Sequence, residues 1–196
     1  MKNKEIIVAT SNPHKMEEYR LMLEPLGYKL HSLKDLNFQL DVEETGSTFE
    51  ENSLIKAKYI ANLVPDKMVI SDDSGLEIKS LNGFPGIYSA RFMEGSAYSD
   101  KCDEIIKRLK DFEDKTANFT TVISLVNYGK KDYTFEGKVF GKIVQTSQGT
   151  NGFGYDPIFY SDELKKTFGE STTEEKSSIS HRGRALKKMV DFLENN

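Results

Sequence analysis

Residues Glu5 to Leu30, EIIVATSNPHKMEEYRLMLEPLGYKL, read as strand, turn, helix and second strand. Glu5 to Ala9 is a short β-branched run, Thr10 to His14 is turn chemistry, and Met16, Tyr19, Leu23 and Leu26 recur at helical spacing. Gly27 stands where a helix closes in the left-handed conformation, and Tyr28 to Leu33 resumes an extended pattern. Strand, helix and strand in this order are the repeating unit of α/β domains.

The same alternation continues outward. In Asp41 to Pro65, Thr48 followed three residues later by Glu51 predicts a capping box, with Phe49, Ser53, Ala57, Ile60, Ala61 and Val64 as the inner stripe of a helix that Pro65 closes. Met68 to Ser71 is a short apolar strand that runs into Asp72-Asp73-Ser74-Gly75, read as an exposed turn, before Leu76 to Ile78 extends again. Ser99 or Asp100 can cap a helix with Ile105, Ile106 and Leu109 inside, and Phe119 to Tyr128 with Tyr133 to Val144 form an antiparallel hairpin around Gly129 to Asp132. Gln145 to Tyr160 is rich in glycine, which suits a backbone that must approach something closely. Ser180 caps a last helix carrying Ala185, Leu186, Met189, Val190 and Leu193 inward. The expected fold is α/β, a mixed β-sheet with flanking helices, in one domain over residues 1–196.

With 196 residues the chain can bury one sizeable core but not two average domains. Lys and Arg total 27 against 31 Asp and Glu, a net charge of −4, which excludes the basic footprint of a general nucleic-acid binder. The single cysteine, Cys102, cannot form an intramolecular disulfide. The basic start is followed by only four apolar residues, Ile6 to Ala9, against the ~7–15 of a signal peptide, and nothing approaches a membrane span. A cytoplasmic protein is the expectation.

Three sets of residues carry chemistry. In Ala9 to Lys15, ATSNPHK, a strand ends and a helix begins, so backbone N–H groups and the positive helix end suit a phosphate, with Thr10, Ser11 and Asn12 adding donors and Lys15 a charge. An ordinary helix cap with a solvated lysine fits the same residues. The acids Glu43, Glu44, Asp72 and Asp73 suit a hard divalent cation, whereas His14, His31 and His181 are scattered; a plain Asp-rich turn is the other reading of 72–75. Phe153 and Tyr155 offer rings to a base, and Lys176, His181, Arg182 and Arg184 make a local positive region, which a solvated helix start explains equally.

Taken together, ATSNPHK at 9–15, EETGSTFEENSLIKA at 43–57, SDDSGLEI at 71–78, GFPGIYSARF at 83–92, GFGYDPIF at 152–159 and TTEEKSSISHRGRAL at 172–186 resemble the inosine/xanthosine triphosphate pyrophosphatase family. The resemblance runs from Ile6 to about Leu193. It implies a two-lobed α/β fold with the active site in a central cleft, a homodimer, Mg²⁺ as cofactor, a nucleoside triphosphate as substrate, and no nucleic-acid or membrane partner. It also implies residue roles: Thr10, Ser11, Asn12, Pro13, His14 and Lys15 as the phosphate loop, with Asn12 and Lys15 the main contacts; Glu44 and Asp73 as metal ligands, with Asp72 adjacent; Asp73 as proton acceptor; and Ser74 as a substrate contact. Phe153, Gly154, Tyr155 and Asp156 match the base-binding stretch, Lys176 a further substrate lysine, and His181 with Arg182 the base and ribose contacts. Lys56 matches another active-site lysine, and Ser11 stands where many members carry glycine.

The implied activity is hydrolysis of ITP, dITP or XTP to the monophosphate and pyrophosphate. A hydrolase for pyrimidine or modified triphosphates would share the phosphate and metal residues without the Ser180-His181-Arg182 contacts. A nucleotide-sensing module would need no metal-held water, and carboxylates beside a triphosphate argue against it unless a cation lies between them.

Overall fold

The computed structural model describes residues 4–196; residues 1–3, part of the basic start, lie outside them. The elements follow the chain as β1 (Glu5–Val8), α1 (Pro13–Leu23), β2 (Lys29–Ser32), α2 (Phe49–Ala61), β3 (Met68–Ile78), α3 (Tyr98–Arg108), β4 (Thr116–Tyr128), β5 (Lys131–Ile143), β6 (Phe159–Ser161), β7 (Lys166–Thr167), α4 (Thr173–Ile179) and α5 (His181–Asn195). One mixed sheet has the order β2-β1-β3-β4-β5-β6-β7. β1 pairs in parallel with β2 and β3, and β5, β6 and β7 pair antiparallel. β4 and β5 are neighbours joined by two residues, so they are the expected hairpin. Among the described residues no helix is long and apolar enough to cross a membrane.

The chain forms two compact units: the described residues through Asp73 with Thr121–Glu136 and Ala185–Asn196, and Ser74–Thr120 with Gly137–Arg184. In the first unit the strands are covered on both faces, and the pleat sorts their side chains. Ile6, Val8, Met68 and Ile70 pack with Met16, Tyr19 and Leu23 of α1 and Leu186 and Met189 of α5. Ile7, Ala9 and Val69 pack with Ala57, Ile60 and Ala61 of α2. β1 thus lies between β2 and β3, with α1 on one face and α2 on the other. This is a topological switch point, where α/β sheets bind ligands beyond the carboxyl ends of their strands. In the second unit Leu76, Ile78, Phe119 and Val139 pack with Cys102, Ile105 and Leu109 of α3 and with Phe159 and Phe168.

Four local expectations are corrected. Asp72 to Gly75 is not an exposed turn: β3 runs unbroken from Met68 to Ile78, and both aspartates are buried. Gly75 serves close approach instead, since a Cβ there would lie 2.1 Å from the Gly86 carbonyl oxygen. The α2 capping box is half formed. Thr48 Oγ1 accepts the Glu51 N–H at 3.1 Å, but the Glu51 carboxylate accepts from the N–H and hydroxyl of Ser47 at 2.6 and 2.8 Å, two donors against the one that Thr48 would offer. α2 also ends at Ala61, so Val64 and Pro65 follow it; chain preceding a proline disfavours the helical region. Finally, α3 begins at Tyr98 after Ala97, with no side-chain cap from Ser99 or Asp100. The Tyr98 ring, edge-on to Tyr155 at 5.5 Å and beneath the Lys101 ammonium at 4.7 Å, anchors that first turn by packing. The Ser180 cap is present, its hydroxyl accepting the Gly183 N–H at 3.0 Å.

Candidate active site

The first unit brings the phosphate-loop and acidic residues together. β1 ends against β3, where Ala9 N–H donates to the Ile70 carbonyl at 2.7 Å and the Ser71 hydroxyl to the Ala9 carbonyl at 3.0 Å. Asn12 is the N-cap of α1: its Oδ1 accepts the N–H groups of His14 and Lys15 at 2.9 and 3.3 Å, while Thr10 Oγ1 accepts the Asn12 N–H at 3.2 Å. Pro13 fills the first helical position, which has no N–H to lose. The Asn12 carbonyl is therefore committed to the cap, and its –NH₂ is the group with donors to offer an anion. His14 is exposed and Ser11 stands at the loop surface.

β3 delivers Asp72 and Asp73 to opposite faces, because successive strand side chains alternate. Asp72 lies on the α1 face, 2.8 Å from Lys15 Nζ. Asp73 lies on the α2 face, where Lys56 Nζ contacts its Oδ1 at 3.2 Å and Asn52 Nδ2 donates to its Oδ2 at 3.3 Å. The same Lys56 ammonium is 2.6 Å from Glu44. Burial raises the Asp73 pKa above the usual aspartate value and Glu44 adds to this, against Lys56 and Lys15. Burial works against the Lys56 charge, but Asp73, Asp72 and Glu44 outweigh it and hold its pKa above that of an ordinary lysine.

Among the described residues, no group of three or more His, Cys, Asp or Glu side chains is arranged to hold a metal ion. Glu44 and Asp73 nevertheless converge on one cation, the Lys56 ammonium. A pair of carboxylates already meeting at a positive charge fits Mg²⁺, which takes one or two protein carboxylates and completes its shell from phosphates and water. The phosphate loop also walls a cavity of about 870 Å³ with Met16, Arg20, Leu33, Phe38 and Leu40; Glu44, Asp72 and Asp73 do not line it.

The second unit gathers the residues expected to meet the base. Asp156 Oδ2 accepts the Phe153 N–H at 2.8 Å and Lys176 Nζ at 2.7 Å, and the ammonium lies 4.5 Å over the Phe153 ring. Gly152, at φ +74°, is required here because a Cβ would sit 2.1 Å from that carboxylate oxygen. The Tyr155 hydroxyl donates to the Ser89 carbonyl at 2.9 Å, and Cys102 Sγ to the Gly154 carbonyl at 3.7 Å. Lys176 comes from α4, a short helix with a full Thr172–Glu175 capping box. Its charge is used within this loop rather than presented at the surface, where only 5% of the residue is exposed. His181 stacks on Phe119 at 5.0 Å and 16°, and Arg182 Nη2 donates to the Ser74 hydroxyl at 3.1 Å.

One residue escaped sequence reasoning. Asn52 is fully buried in α2, holds Asp73 and accepts the Gly46 N–H at 2.8 Å. Its signal was there: Asn52 and Lys56 are four residues apart on the helix, two polar side chains on one face beside the apolar stripe.

Comparison with known proteins agrees with this architecture. The profile of the Ham1 family matches residues 6–192. The dITP/XTP pyrophosphatase of Thermoanaerobacter pseudethanolicus is 46% identical over 191 residues, covering 96% of each chain. The protein of the same name from Bacillus subtilis is 45% identical over 195 residues, covering 97% of this chain and 98% of its own. The solved structure of the Staphylococcus aureus Ham1 protein superposes with a TM-score of 0.87 at 40% identity, over 97% of this chain and 98% of that one.

Proposed function

The chain belongs to the Ham1 family, and on that premise we propose that it hydrolyses the non-standard purine nucleoside triphosphates ITP, dITP and XTP to the monophosphate and pyrophosphate. The observation that carries this reading is the buried Asp73 carboxylate, held by Lys56 and Asn52 with Glu44 on the same ammonium. Buried carboxylates matched to lysines, beside a loop whose N–H groups and lysine suit phosphate, are parts suited to phosphoryl chemistry.

Attack on the α–β anhydride requires water to reach a phosphorus ringed by about four negative charges, and fixed cations offset that repulsion. In this reading Lys15 and Lys56 lie against phosphate oxygens, with Thr10, Ser11 and the Asn12 –NH₂ donating to them. Asp73 takes the proton of the attacking water, and Lys56 beside it favours its ionised form. Glu44 and Asp73 would hold the divalent cation, assigned as magnesium, which when bound supplies charge neutralisation and Lewis acidity at the phosphates.

Base selection falls to Phe153 through Asp156, His181 and Arg182, with Ser74 and Lys176 as further substrate contacts. Hypoxanthine and xanthine present an acceptor at O6 where adenine presents an amino donor. A donor from His181 or the adjoining backbone pairs with the first and opposes the second, a difference that can reach ~10⁴. GTP shares O6 but adds a 2-amino group that the Phe153–Asp156 side must exclude. The same reading, resting on the family resemblance, makes the protein a cytoplasmic homodimer, which light scattering tests.

The deciding experiment incubates the protein with ITP, dITP, XTP, ATP, GTP, dUTP and dTTP in Mg²⁺ and separates pyrophosphate from phosphate. Pyrophosphate from the first three, well above the others, is expected. Equal rates on GTP or the pyrimidine nucleotides, or phosphate as the product, would overturn the reading.

A further inference from the structure

The two neighbouring aspartates of β3 are usually tempting to treat as one acidic pair, but the pleat separates them. Glu44 and Asp73 converge on Lys56 at the α2 face, while Asp72 lies on the α1 face with Lys15. The Asp72 side chain is fully buried and that of Lys15 is 15% exposed. The buried Thr121 hydroxyl reaches Asp72 Oδ2 at 3.3 Å and the Asp73 carbonyl at 3.2 Å, tying both aspartates to β4. Lys15 itself stands in the first turn of α1, next to the positive end of the helix, where a cation is unfavourable without a counter-charge. A lysine side chain also has four rotatable bonds and needs an anchor to hold one position.

We infer that Asp72 is a positioning residue for Lys15, supplying the counter-charge that keeps this ammonium at the phosphate loop, and that it does not hold the divalent cation. The inference rests on the activity proposed above. Removing the Asp72 charge leaves the Lys15 charge available to attract phosphate but no longer fixes where it stands. Binding of the ground state is kept while the transition state loses an oriented cation, so the effect falls on kcat.

The test is a double-mutant cycle on ITP hydrolysis with Asp72→Asn, Lys15→Met and the double substitution, each titrated with Mg²⁺. Asp72→Asn is expected to lower kcat about tenfold with KM not raised and the half-saturating Mg²⁺ unchanged. In the Lys15→Met background the same substitution should cost less than about twofold. An equal loss in both backgrounds, or a half-saturating Mg²⁺ that rises about tenfold, overturns the inference. A second readout needs no turnover: acetic anhydride labelling followed by mass spectrometry. Lys15 should acylate about tenfold faster in Asp72→Asn than in the unsubstituted protein, and an unchanged rate overturns the inference. If Asp72→Asn does not melt cooperatively, Thr121→Val takes its place, with a smaller loss in kcat that again disappears without Lys15; persistence of that loss overturns the inference. Absence of pyrophosphate release from the unsubstituted protein would instead remove the proposed activity, and the labelling result would still decide the role of Asp72.

Discussion

Asp73→Asn keeps the shape of the side chain and removes its capacity to accept a proton. Pyrophosphate release should fall by about 10²–10⁴-fold, the usual contribution of a general base, while calorimetric binding of nucleotide is retained. Near-normal turnover in the variant would exclude Asp73 as the base. Cys102 is a contrasting case. Only 2% of the residue is exposed, and burial, with Asp103 and Asp156 adding, pushes its thiol up to about 12. The thiolate is the reactive form, and its fraction grows only as pH climbs toward that value, so iodoacetamide should leave the folded protein unlabelled at pH 8 and label it in urea. Mass spectrometry distinguishes the two, and ready native labelling would contradict the burial described here.

At the scale of elements, α2 links stability to the site because it carries Asn52 and Lys56 on one face. Thr48→Ala removes its N-cap and should cost about 1 kcal/mol, read as a lower urea midpoint with unchanged slope. Gly152→Ala should act on the 153–156 loop instead, raising KM for ITP more than it lowers kcat, because the added methyl displaces the Asp156 carboxylate that holds Phe153 and Lys176. Much of this level was legible in the sequence. The β1–α1–β2 start shows in its β-branched run and the turn residues that bound its helix, the hairpin in its paired apolar runs and α5 in its periodic apolar stripe, and the resemblance named the residues now seen to cluster within each unit. Asp72 to Gly75 was misread because aspartate and glycine are turn formers locally, and their burial depends on Lys15 and Lys56, far away in the chain. Asn52 was missed for the same reason: its partner Asp73 is 21 residues distant.

For the whole molecule, the net charge of −4 says little about the ligand, since basic side chains such as Lys15 and Lys56 sit against acids, Lys15 against Asp72 and Lys56 against both Glu44 and Asp73. A divalent cation that binds only the folded chain should raise the melting temperature with its concentration, by about 2.7 kcal/mol of stability at 100 times its dissociation constant. EDTA should abolish pyrophosphate release, Mg²⁺ restore it, and Glu44→Gln blunt the thermal gain; a melting curve indifferent to Mg²⁺ would remove Glu44 from the cation site. The unbroken β3 strand also sets a rule for how this chain can change length. Its residues are counted in twos, so one residue inserted between Met68 and Ser71 would exchange the outlooks of Asp72 and Asp73, handing each aspartate the wrong lysine, whereas two inserted residues would restore them. Along this strand, parity matters more to the site than the exact number of residues.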